Sequence, residues 1–120
     1  MFLKLNHQRL AVWRHSKLFV VECYRATNNF PSGEKFNLVS QIRRAASSVH
    51  LNISEGCSRK SEMERKRYYE IARGSLIEID AALDIAHDLG YFRQSDVKTL
   101  GDLMLECFNS LSGLIKQLQR

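Results

Sequence analysis

Six bases lie within one fifteen-residue stretch of this chain: Arg59, Lys60, Arg65, Lys66, Arg67 and Arg73, against the acids Glu62, Glu64 and Glu70. Guanidinium and ammonium groups at this density can neutralise phosphate oxygens without reading bases. On a helix Arg59, Lys66 and Arg73 recur every seven residues and point roughly the same way, with Arg14, Lys17 and Arg25 available from an earlier segment. The same residues also describe an ordinary solvated helix face. Arg43 and Arg44 add two further candidate phosphate contacts. Tyr68 and Tyr69 offer rings for base stacking, but Tyr68 falls on an apolar stripe and is assigned to the core. Zinc-finger spacing, an RNP sequence and a GxxG clamp are absent, so the binding expected is dominated by the phosphate backbone and weakly sequence-selective.

Residues suited to enzyme chemistry are sparse. Asp84 and His87 put a carboxylate and an imidazole one turn apart, as di-iron four-helix bundles do, yet the pattern occurs once, and His7, His15 and His50 have no comparable partners. Ser75 has no histidine on its helix face to act as a base. There is no Walker loop or dinucleotide fingerprint. The chain is therefore read as non-catalytic, without metal or cofactor. Cys23, Cys57 and Cys107 are an odd number without CxxC spacing, which fits reduced thiols, with Cys107 as a small core residue. Asn52, Glu55 and Glu78 form a candidate structural polar network. Glu55 can accept from Arg59 or from free helix amides, and Glu78 lies beside a helix seam, suited to an arginine from helix 2 or from another subunit.

The elements that must position these groups are helical. A chain of 120 residues, 44 % apolar with one proline, makes a single domain. Helix 1 is predicted roughly over 8–28, with Leu10, Trp13, Val20, Val21 and Tyr24 on its buried side and Phe30-Pro31-Ser32-Gly33 as its stop. Helix 2 is predicted over 36–55, where Val39, Ile42, Ala46, Val49 and Ile53 share one face and Gly56 serves as C-terminal cap. A Ser61/Glu64 capping box opens helix 3 over 62–89, and Gly90 closes it. Its stripe is Tyr68, Ala72, Leu76, Ile79, Leu83 and Ala86, while Gly74 inside it implies close helix–helix or subunit contact. Helix 4, over 95–118, runs on Val97, Leu100, Met104, Cys107, Leu111, Leu114 and Leu118. Four helices with short connections predict an all-α, up-down-up-down antiparallel bundle. Phe36, Leu38, Ala45 and Phe108 add apolar area beside the seams, which either forms a subunit interface or widens the core.

The motifs QIRRAASSV, NISEG, R-x-S-x-x-E, IARGSLIE and DLGY, in this order over nearly the whole chain, resemble the four helix bundle protein family, also called the 23S rRNA-intervening sequence protein family. The resemblance implies a closed four-helix bundle assembled as a homopentameric ring. Some members are encoded in insertions within large-subunit ribosomal RNA genes. A related branch, the accessory variability determinant of diversity-generating retroelements, is a basic pentamer that binds a reverse transcriptase and nucleic acid. This chain departs from many members at His50-Leu51, where they have proline and alanine, and at Arg65-Lys66, where they have apolar residues. The second departure makes helix 3 more basic and strengthens a nucleic-acid reading.

The net charge of +5 is unevenly spread. Arg59–Arg73 carries six bases against three acids, and Met1–Pro31 carries five against one. Between Gly74 and Phe92 there are four acids, Glu78, Asp80, Asp84 and Asp88, and no Lys or Arg. Helix 3 thus opposes its own dipole, and Arg93 and Lys98 at the start of helix 4 are expected to pair with its acidic end. The basic end is left for a polyanion or for an acidic face of a neighbouring subunit. No run of about 20 apolar residues could span a bilayer, and the N-terminus lacks a secretory h-region, so a cytoplasmic protein is expected. Two functions follow: a ribonucleoprotein accessory ring that binds RNA or DNA, whose partner in one variant is a reverse transcriptase, or an oligomeric protein-interaction scaffold without a nucleic-acid ligand.

Overall fold

Apolar and small residues three and four apart wind into four α-helices: α1 (Ala11–Thr27), α2 (Leu38–Ser58), α3 (Glu62–Asp88) and α4 (Lys98–Gln117). The structure, a computed structural model, describes residues 1–118, and among them there is no strand. Each helix packs on two neighbours in the order α1, α2, α3, α4 and back to α1. The contacts run antiparallel. Trp13 meets Ser54 and Thr27 meets Arg43 across α1 and α2, whereas Ser48 meets Ser75 and Cys57 meets Tyr69 across α2 and α3. The start of α1, the end of α2, the start of α3 and the end of α4 therefore share one pole of the bundle. The opposite pole is closed by an aromatic cluster in which Phe30 packs on Tyr91 and Phe92 while the Tyr91 hydroxyl donates to Glu34 at 2.6 Å.

The element ends follow local rules. Short 3₁₀ turns at Asn6–Arg9 and Gln94–Val97 take the places where helices 1 and 4 were predicted to begin. α3 starts on the Ser61 hydroxyl, which accepts from the Glu64 amide, the forward half of the expected capping box. It ends in a Schellman turn: Gly90, at φ 79°, donates to His87 and Tyr91 donates to Ala86. α2 does not stop at 52–55. It continues through Gly56 to Ser58, and Gly56 is a packing residue instead of a cap. A Cβ there would lie 2.7 Å from Tyr69 Cε1, so α3 can lay its ring directly on the α2 backbone. Gly74 has nothing within 4 Å of an added Cβ, so the close approach predicted there is not made within the protomer.

The α2 stripe is buried as predicted; of the α4 stripe Leu100, Cys107 and Leu111 are buried, joined by Ile115, while Val97, Met104, Leu114 and Leu118 are only half-buried against the core. Leu38 and Ala45 widen the core, whereas Phe36 is 89 % exposed. On α3 it is Tyr69, not Tyr68, that enters the core, and Ala82 is more deeply placed than Leu83. The buried face of α1 differs most from expectation. Leu10, Val21 and Tyr24 are exposed, and the core positions are Val12, Ser16, Phe19, Cys23 and Thr27. Two of those five are hydroxyl residues. They can be buried because each donates back to its own helix, Ser16 to the Trp13 carbonyl at 2.9 Å and Thr27 to that of Cys23 at 2.8 Å. Cys23 and Cys107 are free core thiols, each pushed up to about 12 chiefly by burial.

A partly buried polar cluster fastens α1 to α2. The Trp13 indole N–H donates to Ser54 at 2.9 Å, its ring leans on His50, and His50 Nδ1 lies 2.7 Å from the Ser16 hydroxyl. A hydroxyl has one proton, so with that proton on the Trp13 carbonyl the His50 contact is served by Nδ1–H. Burial first, then the charges of Lys17 and His7, push the His50 pKa below its ordinary 6.5. Folding therefore favours the neutral ring, and the unfolded chain binds the proton more readily. The stabilisation is fully present above pH 6.5 and is lost as pH falls toward the depressed folded value.

Two outcomes follow for unfolding measured by urea titration. Gly56→Ala should cost about 1–3 kcal/mol by forcing Tyr69 off the α2 backbone, while Gly113→Ala, in open space on α4, should gain about 0.5–1 kcal/mol of helix propensity. Wild-type stability should drop more steeply below pH 6.5 than that of His50→Asn; parallel pH profiles would show that His50 does not carry the effect.

Candidate nucleic-acid interface

The antiparallel arrangement collects charge at one pole. The first halves of α1 and α3 and the second halves of α2 and α4, with their flanking segments up to residue 118, carry eleven Lys and Arg against four carboxylates, a net +7. The other half of the described chain carries six bases against nine acids, a net −3. Arg59, Lys60, Arg65, Lys66, Arg67 and Arg73 all lie in the basic half, and Lys4, Arg9, Arg14 and Lys17 join them from the start of the chain.

These side chains are not equivalent. Arg59 is not on α3 but caps the end of α2, so the seven-residue spacing with Lys66 and Arg73 does not form one helix face. Its guanidinium pairs with Glu55 at 2.8 Å, donates to the Tyr68 hydroxyl at 3.2 Å and lies over the Tyr68 ring. Tyr68 is therefore half-exposed and occupied by an arginine. Arg65 is folded against the bundle, its Nε covered and without a hydrogen bond, beside Tyr69 and Leu114. Arg73 reaches across to donate to Ser112 on α4 at 3.3 Å. Lys60 and Arg67 are exposed and Lys66 half-exposed, and among the described residues none of the three has an ion-pair partner within 4.0 Å. Lys60, Lys66 and Arg67 are thus the groups most available to phosphates.

Arg43 and Arg44 lie elsewhere, on the other half of the molecule. Arg43 closes the end of α1: its Nε donates to Thr27 at 2.9 Å, and its Nη2 donates to the Tyr24 carbonyl at 3.2 Å and to Asn28 at 2.9 Å. A cation on the last carbonyls of a helix also complements the negative end of the dipole. Arg44 points outward without a partner among the described residues. Together with Lys35, Phe36 and Leu51 they border an open groove of about 760 Å³ on the outer side of α2. The eight predicted contact residues therefore divide into a basic pole and a separate groove.

The polar network predicted from Asn52, Glu55 and Glu78 does not form as a unit. Asn52 donates to the Ser48 carbonyl and hydroxyl, Glu55 holds Arg59 as expected, and Glu78 is exposed and makes no ion pair among the described residues. Arg93 and Lys98 also do not neutralise the acidic end of α3. They pair locally with Asp96 and Asp102, one turn along their own segments, where the reach is shorter. The Asp84/His87 pair gains no third ligand, and no group of three potential metal ligands occurs among the described residues. No helix among the described residues is long and apolar enough to cross a membrane.

A family model for the 23S rRNA-intervening sequence protein matches residues 8–119. The chain belongs to that family. A solved structure from Bacteroides thetaiotaomicron, described as a protein of unknown function from the S23 ribosomal protein family, superposes with a TM-score of 0.78 at 22 % identity. The match covers 88 % of this chain and 99 % of that one, and shows a shared fold. No curated protein matches the chain significantly. In this member of the 23S rRNA-intervening sequence family, the α1 cap made by Arg43 and the α2 cap made by Arg59 are structural uses of residues that resemble phosphate contacts in sequence.

Arg43→Ala should lower unfolding stability by about 1–2 kcal/mol, because three hydrogen bonds at the end of α1 lose their donor. Lys66→Ala should stay within about 0.5 kcal/mol of the parent. Equal effects in thermal and urea unfolding would contradict this division of roles.

Proposed function

We propose that the protein is a non-catalytic nucleic-acid-binding or ribonucleoprotein accessory factor, working in the cytoplasm as a homo-oligomeric ring. The observation that carries the reading is the basic pole. Eleven bases against four acids sit at one end of a bundle whose other end is net negative. Such a pole attracts a polyanion by counterion release and holds it through phosphates, with little base reading. The available ammonium and guanidinium groups of Lys60, Lys66 and Arg67 make the contacts, and Arg59, Arg65 and Arg73 add field while staying tied to the bundle. Assembly into a ring multiplies a weak single site by avidity. Structured RNA is the first ligand to try, given the family's name.

An oligomeric protein scaffold is the second reading. It is favoured by exposed apolar residues in the other half of the molecule, among them Phe36, Ile77 and Ile85. A reverse transcriptase is one partner of that kind.

Fluorescence anisotropy of nuclease-treated protein with labelled structured RNA, single-stranded DNA and duplex DNA, titrated across salt, tests the first reading. Binding should be micromolar or tighter at low salt and fall steeply as salt rises. The double variant Lys66→Glu/Arg67→Glu should weaken it at least about tenfold and flatten the salt slope by roughly two phosphate contacts. Affinity that stays flat across salt, or an intact oligomer that binds nothing at low salt, would transfer the assignment to the scaffold.

A further inference from the structure

We infer that the groove on the outer side of α2 receives the acidic ridge of α3 from a second copy of this chain. The inference rests on the oligomeric reading above and assigns its contact surface. The groove is lined by apolar Phe36, Val39 and Leu51 and by the bases Lys35, Arg43 and Arg44, with serines and Asn52 between them, and no carboxylate lines it. Phe36 is 89 % exposed and Leu51 61 % exposed.

The ridge is the complement of that surface. Ile77, Ala81 and Ile85 follow one another at steps of four on the outward side of α3, with both isoleucines more than half exposed. Exposed Glu78 and Asp84 flank them, and neither has an ion-pair partner among the described residues. An apolar ridge edged by acids thus faces an apolar groove edged by bases. Ala81 at its centre, and Gly74 two turns before, leave room for close approach of another helix.

Position along the bundle fits the same arrangement. Ser48 meets Ser75, so in the antiparallel α2–α3 pair Arg44 and Ile79 lie at the same height. Groove and ridge are therefore level with each other on neighbouring helices of one protomer. A contact between two different patches repeats head to tail instead of making a two-fold dimer, and with both patches at one height it builds a ring where the rotation between copies closes. Side-by-side copies would all keep their basic poles on one face of that ring.

Arg44 and Glu78 also lie at nearly the same height on α2 and α3 of one protomer and form no ion pair among the described residues, so the test must separate contacts within a chain from contacts between chains. The masses of the wild-type full chain, Arg44→Glu, Glu78→Arg and an equimolar mixture of the two variants are measured by light scattering, with circular dichroism to confirm helicity. The inference expects an oligomeric wild type, each variant alone at or near the 13.9 kDa monomer, and a mixture that regains higher mass, because swapped charges meet between copies. A pair made only within one chain is not rescued by mixing. Ile85→Glu should also lower the mass, which keeps the test intact if one charge reversal unfolds. An oligomeric wild type with both variants at full mass, or a fall in Arg44→Glu alone, would overturn this interface and leave the oligomeric reading standing. A monomeric wild type would overturn both.

Discussion

The Tyr69 ring rests on the α2 backbone at Gly56, and the rest of the molecule depends on the closeness of that crossing. With no Cβ in the way, α3 starts after a link of three residues and runs back along α2, and small residues at Ala45, Ala46, Ala72, Ala82 and Ala86 continue the tight seam. The turn is too short to offer any other packing. Because the two longest helices are antiparallel and in contact, their basic segments meet at one end and the acidic half of α3 is carried to the other. α1 and α4 complete the bundle in the same sense and bring Lys4, Arg9, Arg14 and Lys116 to the basic end. The charge polarity is thus a product of topology acting on a sequence already divided into basic and acidic blocks.

Concentrating like charge at one pole has consequences for the residues that build it. Arg59 and Arg65 are drawn onto the protein, one onto Glu55 and Tyr68 and the other beside Tyr69, while Arg73 reaches Ser112. Each long side chain covers apolar surface with its stem as it delivers its charge. A pole built this way has an inner layer of arginines held by the bundle and an outer layer of freer Lys60, Lys66 and Arg67. Such a layer suits phosphate binding that needs field more than geometry.

Helix number, order and the α2 and α4 faces were legible from the 3.6-residue spacing of Val39, Ile42, Ala46, Val49 and Ile53 and of Leu100, Cys107 and Leu111. The face of α1 was not, because Ser16 and Thr27 read as polar. Their hydroxyls bond to their own helix, and the resulting Val12-Ser16-Phe19-Cys23-Thr27 stripe is visible only if small hydroxyl residues are allowed in a core. Gly56 read as a cap because a glycine near a helix end usually is one; its packing role depends on a tyrosine thirteen residues away. Among the basic residues, the sequence could show their density but not their occupation. Arg43 and Lys66 look alike in a string of letters, and only the neighbourhood of the α1 end distinguishes a cap from a free cation.

The basic pole is tested most directly by lysine-reactive footprinting of the intact protein with and without bound structured RNA. Lys60 and Lys66 should be protected from labelling, while Lys98, tied to Asp102 in the opposite half, should label as in the free protein. Unchanged labelling at Lys60 and Lys66 under conditions where RNA is bound, or protection confined to Lys35 or Lys98, would contradict a nucleic-acid interface at that pole.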